Sequence, residues 1–398
     1  MIARLDRALP WLTLAVPLFV VHGRGIADAL IAAVAVLFVA RSVAARDLAW
    51  LRRGWVVVAL AWWAWMSAVS LPDWQPLGWL RFILFAAALE HVALADPAMR
   101  RRLGQVLLVC TAYIAAQALW QFATGANFFG DPRAGDGELT GPYDQARAAP
   151  PLSRMLFPAL LPHAAALPAW AGGALLLAGT GVVVLIGQRM PTLLTGLGLA
   201  VVALLYRPLR RAALIAGAAG VLLIGASAVI SPPTFYRLVT KFSAQMADFP
   251  HSHYGLLAAR SLAIAEAYPL TGAGMDGFRR HCADPRFDVG WGGQGDGGGA
   301  GICVTHPHNF YLQALVDGGW PGLVLFAAMA IAWLAALGRG LLASPDPVRV
   351  GLFAAALMQL WPIASTSSFT VMPLAGLFFL LLGWGLAETR AWRQTTLR

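Results

Sequence analysis

The stretch THPHNFYLQALVDGGWPGL, residues 305–323, sets two histidines and an asparagine (His306, His308, Asn309) where a polar segment meets an apolar one. Ionisable groups at the edge of a hydrocarbon-soluble segment are costly to desolvate and persist where they pair or react. His308 is the candidate general base, because imidazole ordinarily titrates near neutrality and can take and return a proton. The competing reading is an interfacial histidine hydrogen-bonded to backbone. Asn309 reads as an orienting group and Pro307 as a backbone constraint between the histidines. His306 stays open between a structural and a substrate-binding role. Asp317 falls on a different helical face from His308 and reads as a supporting acid rather than the base. Gly319 and Gly322 allow close helix approach.

Several arginines suit an anionic substrate, since the planar guanidinium matches phosphate oxygens in pairs. Arg189 lies in GQRMP, a short turn between two apolar runs, and Arg260 in LAARSLAIAEA, an amphipathic helical pattern. Each has a plain alternative: snorkelling to lipid phosphates for Arg189, and a surface pair with Glu266 or Asp276 for Arg260. Arg81 and Arg154 lie near the ends of apolar runs on the same expected side, and could extend a cationic cavity or mark an interface. No metal is expected. His251, His253, His306 and His308 form two distant HxH pairs with no carboxylate or thiolate spacing to complete a zinc set. Gly272, Gly274 and Gly277 spell GxGxxG, but no strand precedes them and no βαβ pattern surrounds them.

These residues sit in a chain that is 59% hydrophobic and 12% charged, with mean hydropathy +0.66, against roughly 25% charged in soluble domains. The reading is an all-α, polytopic integral membrane protein forming a single domain over residues 1–398. About twelve apolar runs approach the ~20 residues that span hydrocarbon. They cover 8–22, 26–41, 54–71, 76–94, 103–124, 151–168, 170–187, 191–206, 212–230, 320–338, 349–365 and 371–387. The first run has no signal-peptidase-like cleavage pattern. The formal charge of +10 lies in arginine clusters between runs, which is a topology signal rather than a nucleic-acid surface. With both termini in the cytoplasm, clusters such as Arg52–Arg53, Arg100–Arg102 and Arg390–Arg393 fall inside. Arg189, Arg260 and His308 then share the outer side. Two long segments fall outside too: 125–150, and a large loop 231–306 between the ninth and tenth runs, carrying short helices and the flexible run WGGQGDGGGAG at 291–301.

The pattern HPHNxxLQxxxDxGxxGL resembles the signature of the O-antigen ligase and O-antigen polymerase family, departing from it by Asp317 where a Glu is usual. Arg260 followed by Pro269, Leu270, Gly272, Gly274 and Phe278 fits a second family pattern, and an arginine in the Arg189 turn a third. The resemblance covers roughly residues 140–325 and leaves the first five runs without a motif. It implies a bacterial inner-membrane enzyme with its active site facing the periplasm. The reaction implied is metal-independent, cofactor-free transfer of a glycan from undecaprenyl diphosphate to a lipid A-core oligosaccharide. His308 would be the base, Arg189 and Arg260 the diphosphate ligands, and Arg154, Arg81, His306 and Asn309 further substrate contacts. An O-antigen polymerase or a related oligosaccharyltransferase is the alternative. A lipid-glycan transporter or flippase is the reading from a different class, and it would need more ionisable residues along a mid-membrane path than the chain has. Membrane lipids are expected partners and nucleic acid is not. Cys282 and Cys303 share the outer loop, where an oxidising compartment favours a disulfide that would tether the segment before HPHN.

Overall fold

The computed structural model describes residues 2–287, 303–304, 306–363 and 368–396. The 291–301 glycine run and Thr305 lie outside them. The fold is helical, with no strand among the described residues beyond one isolated bridge between Ala126 and Pro132. Long helices cover the expected apolar runs, but the count of about twelve crossings is larger than the helices themselves support. Seven are long and apolar enough to cross a membrane: Arg24–Ala44, Gln75–Ala93, Pro97–Thr124, Ala169–Ile186, Arg207–Ile230, Phe310–Gly338 and Leu374–Thr396. Gly54–Val69, Arg189–Leu205 and Pro347–Leu360 are apolar but shorter. Ile2–Val21 and Ala149–Ala166 each carry interior prolines. Ala149–Ala166 is buried along most of its length, packed against Pro347–Leu360, so its apolar residues face protein.

Among the described residues between Ile230 and Phe310 the chain forms short helices, of which His253–Ala267 is the longest. A small core of Leu257, Ile264, Phe278, Cys282 and Phe287 joins Val316 of the Phe310–Gly338 helix, docking this segment on the bundle. The junction is close. The backbone N–H groups of Ala273 and Gly274 donate to the carbonyls of Val316 (2.8 Å) and Asp317 (3.0 Å). Asp317, buried, also accepts from the Gly277 N–H at 3.0 Å. Its carboxylate therefore holds the TGAG turn in place, the supporting role its helical position suggested.

Two glycines make that approach feasible. Gly272 has φ 68°, and a Cβ there would lie 2.4 Å from the Asp317 carbonyl. Gly319 breaks the Phe310–Gly338 helix at φ 65°, ψ −167°, a region essentially reserved for glycine; its Cβ would meet the Pro269 carbonyl oxygen at 2.6 Å. The freed groups are satisfied: Trp320 N–H donates to Pro269 (2.9 Å) and Trp65 Nε1 to the Gly318 carbonyl (2.8 Å). The glycine-rich parts of the two sequence motifs thus pack against each other. Gly272→Ala and Gly319→Ala are each expected to destabilise the fold by about 1–3 kcal/mol, read as a lower unfolding midpoint in detergent. Gly196→Ala, whose new methyl meets nothing within 4 Å inside a helix, should leave the midpoint unchanged or raise it. Equal midpoints for all three would remove the junction's energetic role.

Candidate functional site

His308 adopts φ 53°, a left-handed conformation uncommon outside glycine. The neighbouring residues hold it there. Asn309 caps the Phe310–Gly338 helix, its Oδ1 accepting from the N–H groups of Tyr311 (2.9 Å) and Leu312 (3.1 Å), which satisfies two of the orphan donors of the first turn. Its Nδ2 donates to the Pro362 carbonyl at 2.6 Å. Tyr311 Oη donates to the Leu360 carbonyl at 2.8 Å, and Gln313 Nε2 to Ser368 Oγ at 2.7 Å. The N and Q of the motif therefore tie the helix start to the turn after Pro347–Leu360, and His308 is carried on that anchored end.

The His308 ring lies 4.4 Å from that of His306 and 5.8 Å from that of Tyr254, centroid to centroid. Arg189 lies 6.0 Å from the same Tyr254 ring, and its Nη1 donates to Gln245 Oε1. Tyr254 thus bridges the two principal candidates. Both open on one cavity of about 1130 Å³, lined also by Asn309, Arg24, Arg147 and Arg237. Its apolar wall includes Leu193, Leu194, Leu197, Val371 and Leu374. The helices Ala149–Ala166, Arg189–Leu205, Phe310–Gly338 and Leu374–Thr396 all begin at this end, so the positive ends of four backbone dipoles add to the arginines. The cavity is strongly cationic: among the described residues Glu138 is its single acidic lining residue, and it is taken up, with Asp136, by Arg237. Arg24, Arg147 and Arg189 form no ion pair with a carboxylate among the described residues.

Burial, with the charge of nearby His253 adding to it, pushes the His308 imidazole down to about 4. Burial and His308 together push His306 to about 3. Both rings are therefore neutral at pH 7, and His308 holds a free lone pair.

The remaining sequence candidates sit elsewhere. Arg260 is 1% exposed and does not line the cavity. Its Nη1 donates to the Cys282 carbonyl and reaches Cys303 Sγ at 3.5 Å, because the helix that carries it turns that face into the outer core. Arg154, also 1% exposed, donates to Gln359 Oε1 and to the Pro150 carbonyl (2.8 Å) inside the bundle. Arg81 pairs with Asp28 at 2.8 Å and stacks on Phe82. His306, 8% exposed, supports the His308 ring from behind. Arg24, Arg147, Tyr254 and Gln245 were not singled out from sequence. The argument applied to Arg189, a cation in an outer turn, applies equally to Arg24 and Arg147. Tyr254 and Gln245 carry no such signal. Among the described residues no group of three His, Cys, Asp or Glu side chains is arranged to hold a metal ion.

Cys282 and Cys303 are bonded sulfur to sulfur, with Cα atoms 5.5 Å apart, and the bond leads directly into the histidine segment. Such a bridge contributes about 2–4 kcal/mol. Peptide mapping of protein purified without reductant is expected to recover both cysteines on one linked fragment. Two alkylatable thiols in folded protein would reject the bridge.

Residues 173–327 match a family model described as O-antigen ligase. That range contains Arg189, Tyr254, His308 and the glycine junction, and excludes Arg24 and Arg147. No curated protein matches the chain. This central segment, which carries the HPHN helix start and part of the cationic cavity, is thus similar to the O-antigen ligase family.

Proposed function

We propose that the protein is a ligase-type glycosyltransferase of the periplasmic face of a bacterial inner membrane. It would move a glycan from undecaprenyl diphosphate to a lipid A-core acceptor. The observation that carries this reading is the single cavity in which Arg189 and His308 flank Tyr254, with cations on one wall and an apolar face on the other. A lipid-borne diphosphate is the substrate such a cavity suits: guanidinium groups and helix N-termini for its oxygens, leucines for its isoprenoid.

In this mechanism a neutral His308 accepts the proton of an acceptor sugar hydroxyl. The hydroxyl oxygen attacks the anomeric carbon, and the bond from that carbon to the diphosphate oxygen breaks. The diphosphate leaves with the electron pair, its charge stabilised by Arg189, with Arg147 and Arg24 as further cations within the cavity. Asn309 keeps the ring aimed. Arg260 acts at one remove, holding the Cys282–Cys303 bridge and with it the approach to His306 and His308.

These roles separate kinetically in a purified assay with a polyprenyl-diphosphate glycan and a core acceptor. His308→Ala should lower kcat by about 10²–10⁴ while donor binding persists. Arg189→Ala should raise the donor KM and lower kcat together, and Arg189→Lys should rescue only in part, because an ammonium lacks the paired donors. Arg260→Ala should lower kcat with little change in donor affinity. A donor-affinity loss equal to that of Arg189→Ala would restore Arg260 to the diphosphate site. Near-normal turnover by His308→Ala would remove the base, and activity abolished by EDTA and restored by a divalent ion would overturn metal independence. In cells, loss of the gene should leave polymer on its lipid carrier. Core capped with a single repeat unit would instead indicate a polymerase.

The pH profile follows from the depressed imidazole. The base is active when unprotonated, so activity is present above its pKa and lost as pH falls through it. In the free enzyme the acid limb of kcat/KM should lie below 6.5, toward the value of about 4 set by burial. The limb of kcat should lie higher, because bound diphosphate favours the imidazolium. A kcat/KM limb at or above 6.5 that vanishes in His308→Ala would contradict this setting.

A further inference from the structure

A second cavity, of about 510 Å³, lies at the opposite end of the bundle. It is roughly 35 Å from the first along the Phe310–Gly338 helix, at ~1.5 Å per residue. Four guanidinium groups, from Arg53, Arg339, Arg390 and Arg393, line it against one carboxylate, Glu90. Glu90 is already engaged. It sits in a π-helical turn, Leu89–Ala93, accepts from Trp55 Nε1 at 2.8 Å and pairs with Arg53 at 3.4 Å. Arg390 donates to His91 Nδ1 at 2.7 Å. The side chains of Arg339 and Arg393 make no hydrogen bond or ion pair within hydrogen-bonding reach among the described residues.

The lining also contains Thr389, 5% exposed, whose buried hydroxyl has no hydrogen-bond partner among the described residues. A helical threonine normally returns its proton to the carbonyl one turn back; this one is left to donate into the cavity. An arginine cluster at this end is accounted for by membrane topology. Topology does not account for a cavity with two uncommitted guanidinium groups and an unsatisfied buried donor. Val58, Ala332 and Ala335 continue the cavity along apolar helix flanks that are not fully buried.

We propose that this cavity binds the phosphodiester headgroup of an anionic phospholipid, with Arg339, Arg393 and Thr389 as donors to the phosphate oxygens and the acyl chains along the Val58–Ala332–Ala335 flank. Free phosphate shares the headgroup chemistry but would leave the apolar flank unused. Native mass spectrometry of the full chain in a neutral detergent, titrated with phosphatidylglycerol, phosphatidylcholine or inorganic phosphate, tests it. Phosphatidylglycerol should bind saturably and more tightly than phosphatidylcholine. Arg339→Gln and Arg393→Gln should each weaken it about fivefold, the worth of one cation beside an anionic headgroup. Thr389→Val should weaken it less, and Arg189→Gln, at the other cavity, not at all. Arg339 is exposed, so Arg339→Gln should keep the wild-type melting temperature without lipid and remains informative if Thr389→Val misfolds. The assignment fails if the two lipids bind equally. It fails if Arg189→Gln rather than Arg339→Gln or Arg393→Gln abolishes binding. Displacement of phosphatidylglycerol by equimolar inorganic phosphate would make this a free-anion site and overturn the lipid assignment.

Discussion

The first turn of a helix leaves backbone N–H groups without partners, and the way the Phe310–Gly338 helix satisfies them governs the outer end of this molecule. Asn309 takes two of those donors and gives its own amide proton to Pro362. With that cap in place, His308 is held at a positive φ that costs a non-glycine residue about 1–3 kcal/mol. About two turns further on, Asp317 uses its buried carboxylate to hold the TGAG turn. Release of the cap would let the histidine relax and loosen the turn after Leu360 together, because both rest on the hydrogen bonds of Asn309.

The electrostatics of the cavity serve two needs at once. Uncompensated arginines and four helix N-termini create a positive field suited to a leaving diphosphate. Low solvation and nearby positive charge keep the histidines unprotonated at neutral pH. His308 is therefore unprotonated at neutral pH, as the proposed base role requires. A site with paired carboxylates would lose both properties, which gives physical meaning to the single acidic residue among the described lining residues.

Arginine has a different use in the scaffold. Arg154 and Arg260 are each 1% exposed and spend their donors on carbonyls, an amide oxygen or sulfur. Burial of such a charge is tolerated where acceptors surround it. At the opposite end, Arg53–Glu90 and Arg100–Glu388 pair between helices distant in sequence. Position at one end of the bundle is thus a weak guide to which arginines line the cavity; what separates Arg189 from Arg260 is which face of its helix meets it.

Much of the protein was legible in its residues. Apolar runs near the length of a bilayer span required helices, because a backbone in hydrocarbon must satisfy its own hydrogen bonds. The HPHN spacing marked where a polar segment meets an apolar helix, and Gly319 and Gly322 marked a place of close approach. Local chemistry dictates such features, so local sequence reveals them. Hydropathy could not separate a helix packed within protein from one facing lipid, since both are apolar: Ala149–Ala166 is buried along most of its length. Nor could it aim side chains. Arg260 turns inward to the disulfide, while Tyr254, six residues earlier, and Gln245 face Arg189 and His308. Those directions depend on helix rotation and on contacts between segments tens of residues apart, and rotation is set by packing, which only the tertiary structure decides.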